Sequence, residues 1–214
     1  MRYLIVCGGK IDKEFGLNEI KTDGIDAIIA ADSGMDFLYE NGVTPDIIVG
    51  DFDSTTTNAL EYFERKGQTE IRRLNPIKDD TDTEYAIRLA ISEGARSIVV
   101  LGATGSRIDH VLGNISLLGI GLESGTDIRI IDTNNRIRMA DKPVTIEKSA
   151  QYGRFVSLIA LTDDNEVSLK GFKYPVTDYS FDRFTSLGIS NEIVDDQAVV
   201  DIHRGKFIII ESKD

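Results

Sequence analysis

The chain has 214 residues, 41% of them hydrophobic, enough to bury an ordinary core as one large domain or two small ones. A formal net charge of -12 without a Lys/Arg-rich stretch argues against nucleic acid as a partner, because a duplex backbone would be repelled. The single cysteine, Cys7, excludes an intramolecular disulfide, two histidines leave no plausible zinc set, and no segment reaches membrane-spanning length, so a soluble cytoplasmic protein is expected.

In chain order, Tyr3 to Cys7, Ala27 to Ala31, Ile47 to Val49, Ile98 to Leu101 and Ile128 to Ile131 read as buried strands. Between them Asp36 to Asn41, Thr57 to Lys66, Thr83 to Glu93 and Val111 to Glu123 carry helical spacing, with Gly42, Gly67, Gly94 and Gly125 as stops. Alternation of this kind predicts an α/β fold with a mostly parallel sheet flanked by helices. From about Asn135 the chain turns to short β-branched runs: Val144 to Glu147, Phe155 to Leu161, Val167 to Leu169, Ala198 to Ile202 and Phe207 to Ile210. These predict a C-terminal antiparallel β-sandwich, with hairpins expected at Asp163-Asp164-Asn165 and Arg204-Gly205-Lys206.

Three carboxylate-rich loops leave the ends of strand-like runs, where open α/β sheets bind ligands. In Gly50-Asp51-Phe52-Asp53-Ser54 an extended backbone would send Asp51 and Asp53 to one side, able to share a hard cation; two solvated aspartates in a plain turn are the alternative. Asp79-Asp80-Thr81-Asp82-Thr83-Glu84 contains a capping box, Thr81 with Glu84, yet holds more acid than a cap requires. Gly102 to His110 offers backbone N–H groups for phosphate oxygens and Arg107 for charge pairing, although Arg107 could equally bridge a surface carboxylate. It lacks the Gly-Lys-Ser/Thr ending of a P-loop. Gly8-Gly9 is explained by a simple turn, and Cys7 by a small apolar residue at a strand end.

Ala31-Asp32-Ser33-Gly34, Pro45 to Ser54, Asp79 to Glu84, Gly105 to His110, Gly171-Phe172-Lys173-Tyr174-Pro175 and Gly188-Ile189-Ser190-Asn191-Glu192 together resemble thiamin pyrophosphokinase of the bacterial type, over nearly the whole chain. The resemblance implies residues 1–134 as an α/β catalytic domain binding ATP and Mg²⁺, and residues 135–214 as a thiamin-binding β-sandwich. It implies a homodimer with thiamin at the interface, and transfer of pyrophosphate from Mg-ATP to the thiamin hydroxyl, releasing AMP. By that resemblance Asp51, Asp53 and Asp82 hold the metal and act in catalysis with Arg107. Asp32, Ser33, Gly102, Thr104, Gly105, Arg107, Asp109 and His110 bind the nucleotide, and Thr81, Asp82, Asp109, Ser190 and Asn191 bind thiamin. An ordinary aspartate is a weak acceptor for an alcohol proton, so Asp82 is a candidate base only. Some relatives place a Trp under the thiamin rings; this chain has none, and Tyr179, Phe181 and Phe184 are candidates near Ser190 and Asn191. A Mg²⁺-dependent nucleotide-sugar transferase and a non-catalytic nucleotide sensor are the rival readings.

Overall fold

The computed structural model describes residues 1–52, 58–75, 80–105 and 107–214. The chain divides into two compact units, Met1–Thr133 and Asn134–Asp214.

The first unit runs β1 (Arg2–Val6), α1 (Lys13–Ile20), β2 (Ala27–Ala31), α2 (Gly34–Glu40), β3 (Ile47–Gly50), α3 (Ala59–Lys66), β4 (Glu70–Arg73), α4 (Asp82–Ser92), β5 (Ser97–Leu101), α5 (Ile108–Ser124) and β6 (Asp127–Ile131). Its strands are parallel and ordered β6-β5-β1-β2-β3-β4. Leu4, Ile5 and Val6 are each essentially inaccessible, the pattern of a strand covered on both faces, which is why the sequence shows a continuous apolar run there. The strand order reverses between β1 and β5, and loops from these two strands face one crevice.

The helices follow their capping chemistry. Thr81 is the N-cap of α4, its hydroxyl accepting from Glu84 N at 3.2 Å, but Glu84 turns its carboxylate to Arg88 at 2.7 Å, so the expected capping box closes on one side only. Gly67 and Gly125 end α3 and α5 in the left-handed conformation. Two elements of this unit were not expected from the sequence. Helix α1 buries only Gly16, which erases the apolar stripe, although Asp12 caps it by accepting from Phe15 N at 2.9 Å. Strand β4 is an edge strand of mostly charged residues and carries no apolar run.

The second unit contains β7 (Asn135–Ala140), β8 (Val144–Glu147), β9 (Phe155–Ala160), β10 (Glu166–Lys170), β11 (Val176–Ser180), β12 (Asn191–Glu192), β13 (Gln197–Arg204) and β14 (Phe207–Ser212). They form two antiparallel sets, β12-β9-β14-β7 and β11-β10-β13-β8. Val156, Leu158, Phe207 and Ile209 from one set pack with Val167, Leu169, Val200 and Ile202 from the other, which makes the core of a sandwich. Neither expected hairpin forms. The turn at residues 163–165 carries the chain from β9 to β10, and that at 204–206 from β13 to β14, each time into the opposite sheet. Buried Asn165 braces the first crossing, its Nδ2 donating to Phe181 O at 3.3 Å. The hairpin that does form joins β10 to β11 across Gly171, whose φ is +76°.

Candidate active site

Within the first unit a cavity of about 640 Å³ opens at the carboxyl edge of the parallel sheet. Its wall takes Cys7 to Gly9 from the end of β1, Ala31 to Ser33 from β2, Gly102 to Gly105 from β5, Thr81 to Glu84 at the start of α4, and Arg107 to Leu117 along α5 in part. All eight expected nucleotide residues, Asp32, Ser33, Gly102, Thr104, Gly105, Arg107, Asp109 and His110, lie on this wall, as do Thr81 and Asp82.

Carboxylate oxygens of Asp32, Asp51 and Asp82 lie within 4.8 Å of one another. They arrive from the ends of β2 and β3 and from the first turn of α4. Two of the three expected metal residues, Asp51 and Asp82, meet here. Asp32, assigned to the nucleotide, joins Asp51 and Asp82, whereas Asp53 lies outside the described residues, together with Ser54, Asp79 and Ser106. The backbone after Asp51 is not extended at Phe52, which is left-handed at φ 62° and buried, its ring under the Arg73 guanidinium at 5.4 Å. Asp32 is also left-handed, at φ 48°. Two left-handed non-glycine residues at adjacent strand ends are local strain of the kind that collects at functional sites. Three oxygen donors without sulfur or nitrogen suit a hard cation such as Mg²⁺. The thiol in the wall does not compete, because burial pushes Cys7 up to about 11; its contact with Thr83 at 3.4 Å pulls slightly down and the Asp82 charge pushes further up.

Arg107 and Asp109 form an exposed pair, Nη2 to Oδ2 at 2.7 Å. The Arg107 hydrogen bond, then the His110 N–H at 2.9 Å, hold the Asp109 carboxyl at about 2. Arg107 thus bridges a surface carboxylate, one of the two alternatives read for it, in the wall of the cavity.

Sequence reasoning passed over Gly8 and Gly9. A Cβ on Gly9 would collide with the Gly102 carbonyl oxygen and come to 2.9 Å from Thr104 O, and one on Gly8 would strike the Ser33 hydroxyl. Gly9 lets the loops of β1 and β5 touch backbone to backbone, and Gly8 leaves room for the Ser33 side chain after β2, a need visible only once the strands are neighbours.

In the second unit Ser190 is exposed and left-handed at φ 60°, its N–H donating to Ser157 Oγ at 3.0 Å. Asn191 is buried: Oδ1 accepts from Tyr174 N at 3.1 Å and Glu192 N at 2.9 Å, and Nδ2 donates to Tyr174 O at 2.9 Å. It therefore splints the backbone under Tyr174, whose ring is 62% exposed. Phe181 is a core residue and Tyr179 packs edge-on against it, whereas Phe184 is 90% exposed.

A carboxylate trio beside a backbone-lined cleft, at the carboxyl edge of a parallel sheet, defines an α/β protein suited to metal-assisted phosphate chemistry. The family models narrow the class. "Thiamin pyrophosphokinase, catalytic domain" matches residues 21–130, and "Thiamin pyrophosphokinase, vitamin B1 binding domain" matches residues 143–207. Thiamine pyrophosphokinase of Bacillus subtilis (strain 168) is 35% identical over 188 residues, 87% of each chain. A crystal structure of thiamine pyrophosphokinase from Bacillus subtilis superposes with a TM-score of 0.89 at 31% identity, covering 100% of both chains. That of thiamin pyrophosphokinase from Geobacillus thermodenitrificans gives 0.88 at 29%, covering 100% of this chain and 98% of the other. The chain belongs to the thiamin pyrophosphokinase family.

Proposed function

We propose that the chain transfers pyrophosphate from ATP to the primary hydroxyl of thiamin, giving thiamin diphosphate and AMP. The observation that carries this reading is the meeting of Asp32, Asp51 and Asp82 at the edge of the glycine-lined cavity, in a chain of this family. Those three would hold Mg²⁺, which supplies charge neutralisation on the polyphosphate when bound. Arg107, already at the lip, would exchange its surface partner for phosphate oxygens, and Thr104, Gly105 and the start of α5 would line the polyphosphate path. Transfer of this kind depends on in-line placement of the hydroxyl more than on a strong base, so an aspartate near the hydroxyl, Asp82 as candidate, is sufficient.

Asp53 is proposed as a further catalytic and metal-binding residue by family resemblance, as is Asp109 for seating substrates. In the second unit Ser190 has an exposed hydroxyl for the aminopyrimidine. With Phe181 in the core, the exposed side chains of Tyr174, Tyr179 and Phe184 are the candidates to lie under thiamin, and Tyr174 has its backbone held by Asn191. A homodimer is proposed as the working form. Ile108 and Leu112, one turn apart on α5, and Phe184, Leu187 and Ile189 in the second unit all expose large apolar side chains that a partner copy would cover. No helix among the described residues is long and apolar enough to cross a membrane, and a buried free thiol suits a reducing cytoplasm.

The test is product analysis with thiamin, ATP and Mg²⁺. AMP and thiamin diphosphate in equal amounts, abolished by chelator and by omission of thiamin, are expected. Turnover of a nucleotide sugar, or nucleotide binding without transfer, would favour the rival readings instead.

A further inference from the structure

The Gly102–Gly105 segment lines the cavity. Two of its carbonyls and one hydroxyl are drawn off into the protein. Gly102 O accepts from Gly9 N–H at 2.9 Å, and Ala103 O accepts from Asn114 Nδ2, on the second turn of α5, at 2.8 Å. The Thr104 hydroxyl donates to Asp132 Oδ2 at 2.8 Å. The N–H groups of Ala103, Thr104 and Gly105, by contrast, donate to no group among the described residues.

A peptide unit is planar and trans, so its C=O and N–H point in opposite directions. Fixing the Ala103 carbonyl therefore fixes the Thr104 N–H, and fixing the Gly102 carbonyl fixes the Ala103 N–H. If either plane rotated, a carbonyl oxygen would replace a donor on the cavity side and repel an anion. Gly9 secures one plane with backbone; the other depends on a single side chain.

We infer that Asn114 is a positioning residue: by tying back the Ala103 carbonyl it keeps the Thr104 N–H, and with it the donor edge of the 103–105 loop, set for phosphate oxygens of the nucleotide. The inference rests on the nucleotide reading above and adds a residue with its own signature. Asn114 acts through the loop, so its loss weakens polyphosphate binding without altering thiamin binding.

Two variants separate the effects. Asn114→Asp keeps the shape but sets an acceptor against the Ala103 carbonyl, and Asn114→Leu removes the donor without adding charge. Calorimetric titration of the full chain with Mg-ATP should show affinity falling about tenfold for Asn114→Asp and roughly three- to tenfold for Asn114→Leu, the range of one lost hydrogen bond. KM for ATP should rise in parallel, while KM for thiamin stays within about twofold. Unchanged ATP affinity in both variants would overturn the inference and leave the nucleotide reading intact. So would equal losses for ATP and thiamin with a lowered melting temperature, which mark a merely structural role. No ATP binding by the unaltered chain would overturn the nucleotide reading itself, and this inference with it.

Discussion

Asp32 and Phe52 are the non-glycine residues with positive φ among the described residues of the first unit; Asp32 belongs to the carboxylate trio and Phe52 follows Asp51. Aspartate tolerates the left-handed region; a buried phenylalanine does so only where its surroundings compel it. At Phe52 that turn ends the extended run after Asp51. The sequence could not reveal it, since Asp-Phe-Asp carries no left-handed signature, and so Asp32 went unread as a member of the trio although its strand and its Ser33-Gly34 sequel were plain. Asp82 was legible because it sits one residue past a recognisable cap. For Asp82→Asn we expect a folded protein with turnover reduced at least about a hundredfold, roughly 2.7 kcal/mol of transition-state stabilisation, measured as the rate of AMP release. For Gly9→Ala the new methyl must displace the loop of β5, and a stability loss of about 1–3 kcal/mol in denaturant titration should accompany weakened ATP binding.

At the scale of elements, all the amino-terminal strands but β4 were readable because a two-sided parallel sheet writes continuous apolar runs, and helices α2 to α5 because glycine stops follow them. What escaped was pairing. The turns at residues 163–165 and 204–206 announce reversal, but turn chemistry does not say which sheet receives the next strand, and both crossings exchange sheets. Helix α4 matters most to the site, as its first turn delivers Asp82. Thr81→Ala removes the hydroxyl that accepts from Glu84 N and should cost about 1 kcal/mol of stability by thermal or chemical unfolding. Because the fraying begins at Asp82, turnover should fall more than stability alone explains, and Thr81→Ser should restore both.

Over the whole molecule, charge and burial are divided unevenly. The surface is strongly acidic, yet the second unit buries Glu211 between Arg136 at 2.6 Å and Arg138 at 3.0 Å, with Tyr152 N–H at 3.0 Å. Burial pushes the Glu211 carboxyl upward, but the Arg136 and Tyr152 hydrogen bonds and the two arginine charges outweigh it, leaving the group below its usual range. The stabilisation it gives is therefore complete above the ordinary glutamate range and disappears as pH falls through the depressed folded value. Glu211→Gln should destabilise the protein by about 3 kcal/mol at neutral pH, because two partly buried guanidinium groups lose a buried counter-charge, and should flatten the acid limb of the stability profile. The proposed homodimer rests on family resemblance, since exposed apolar residues look like core residues in a sequence. Leu112→Asp should shift the particle in sedimentation equilibrium from dimer toward monomer.

The central claim is that Asp32, Asp51 and Asp82 hold one cation for pyrophosphoryl transfer, and the most direct measurement is the Mg²⁺ dependence of thiamin-dependent AMP formation in Asp32→Asn. The account predicts that about tenfold more Mg²⁺ is needed for half-maximal turnover, as loss of one charged ligand costs on the order of 1.4 kcal/mol. A Mg²⁺ requirement identical to that of the unaltered chain would contradict it.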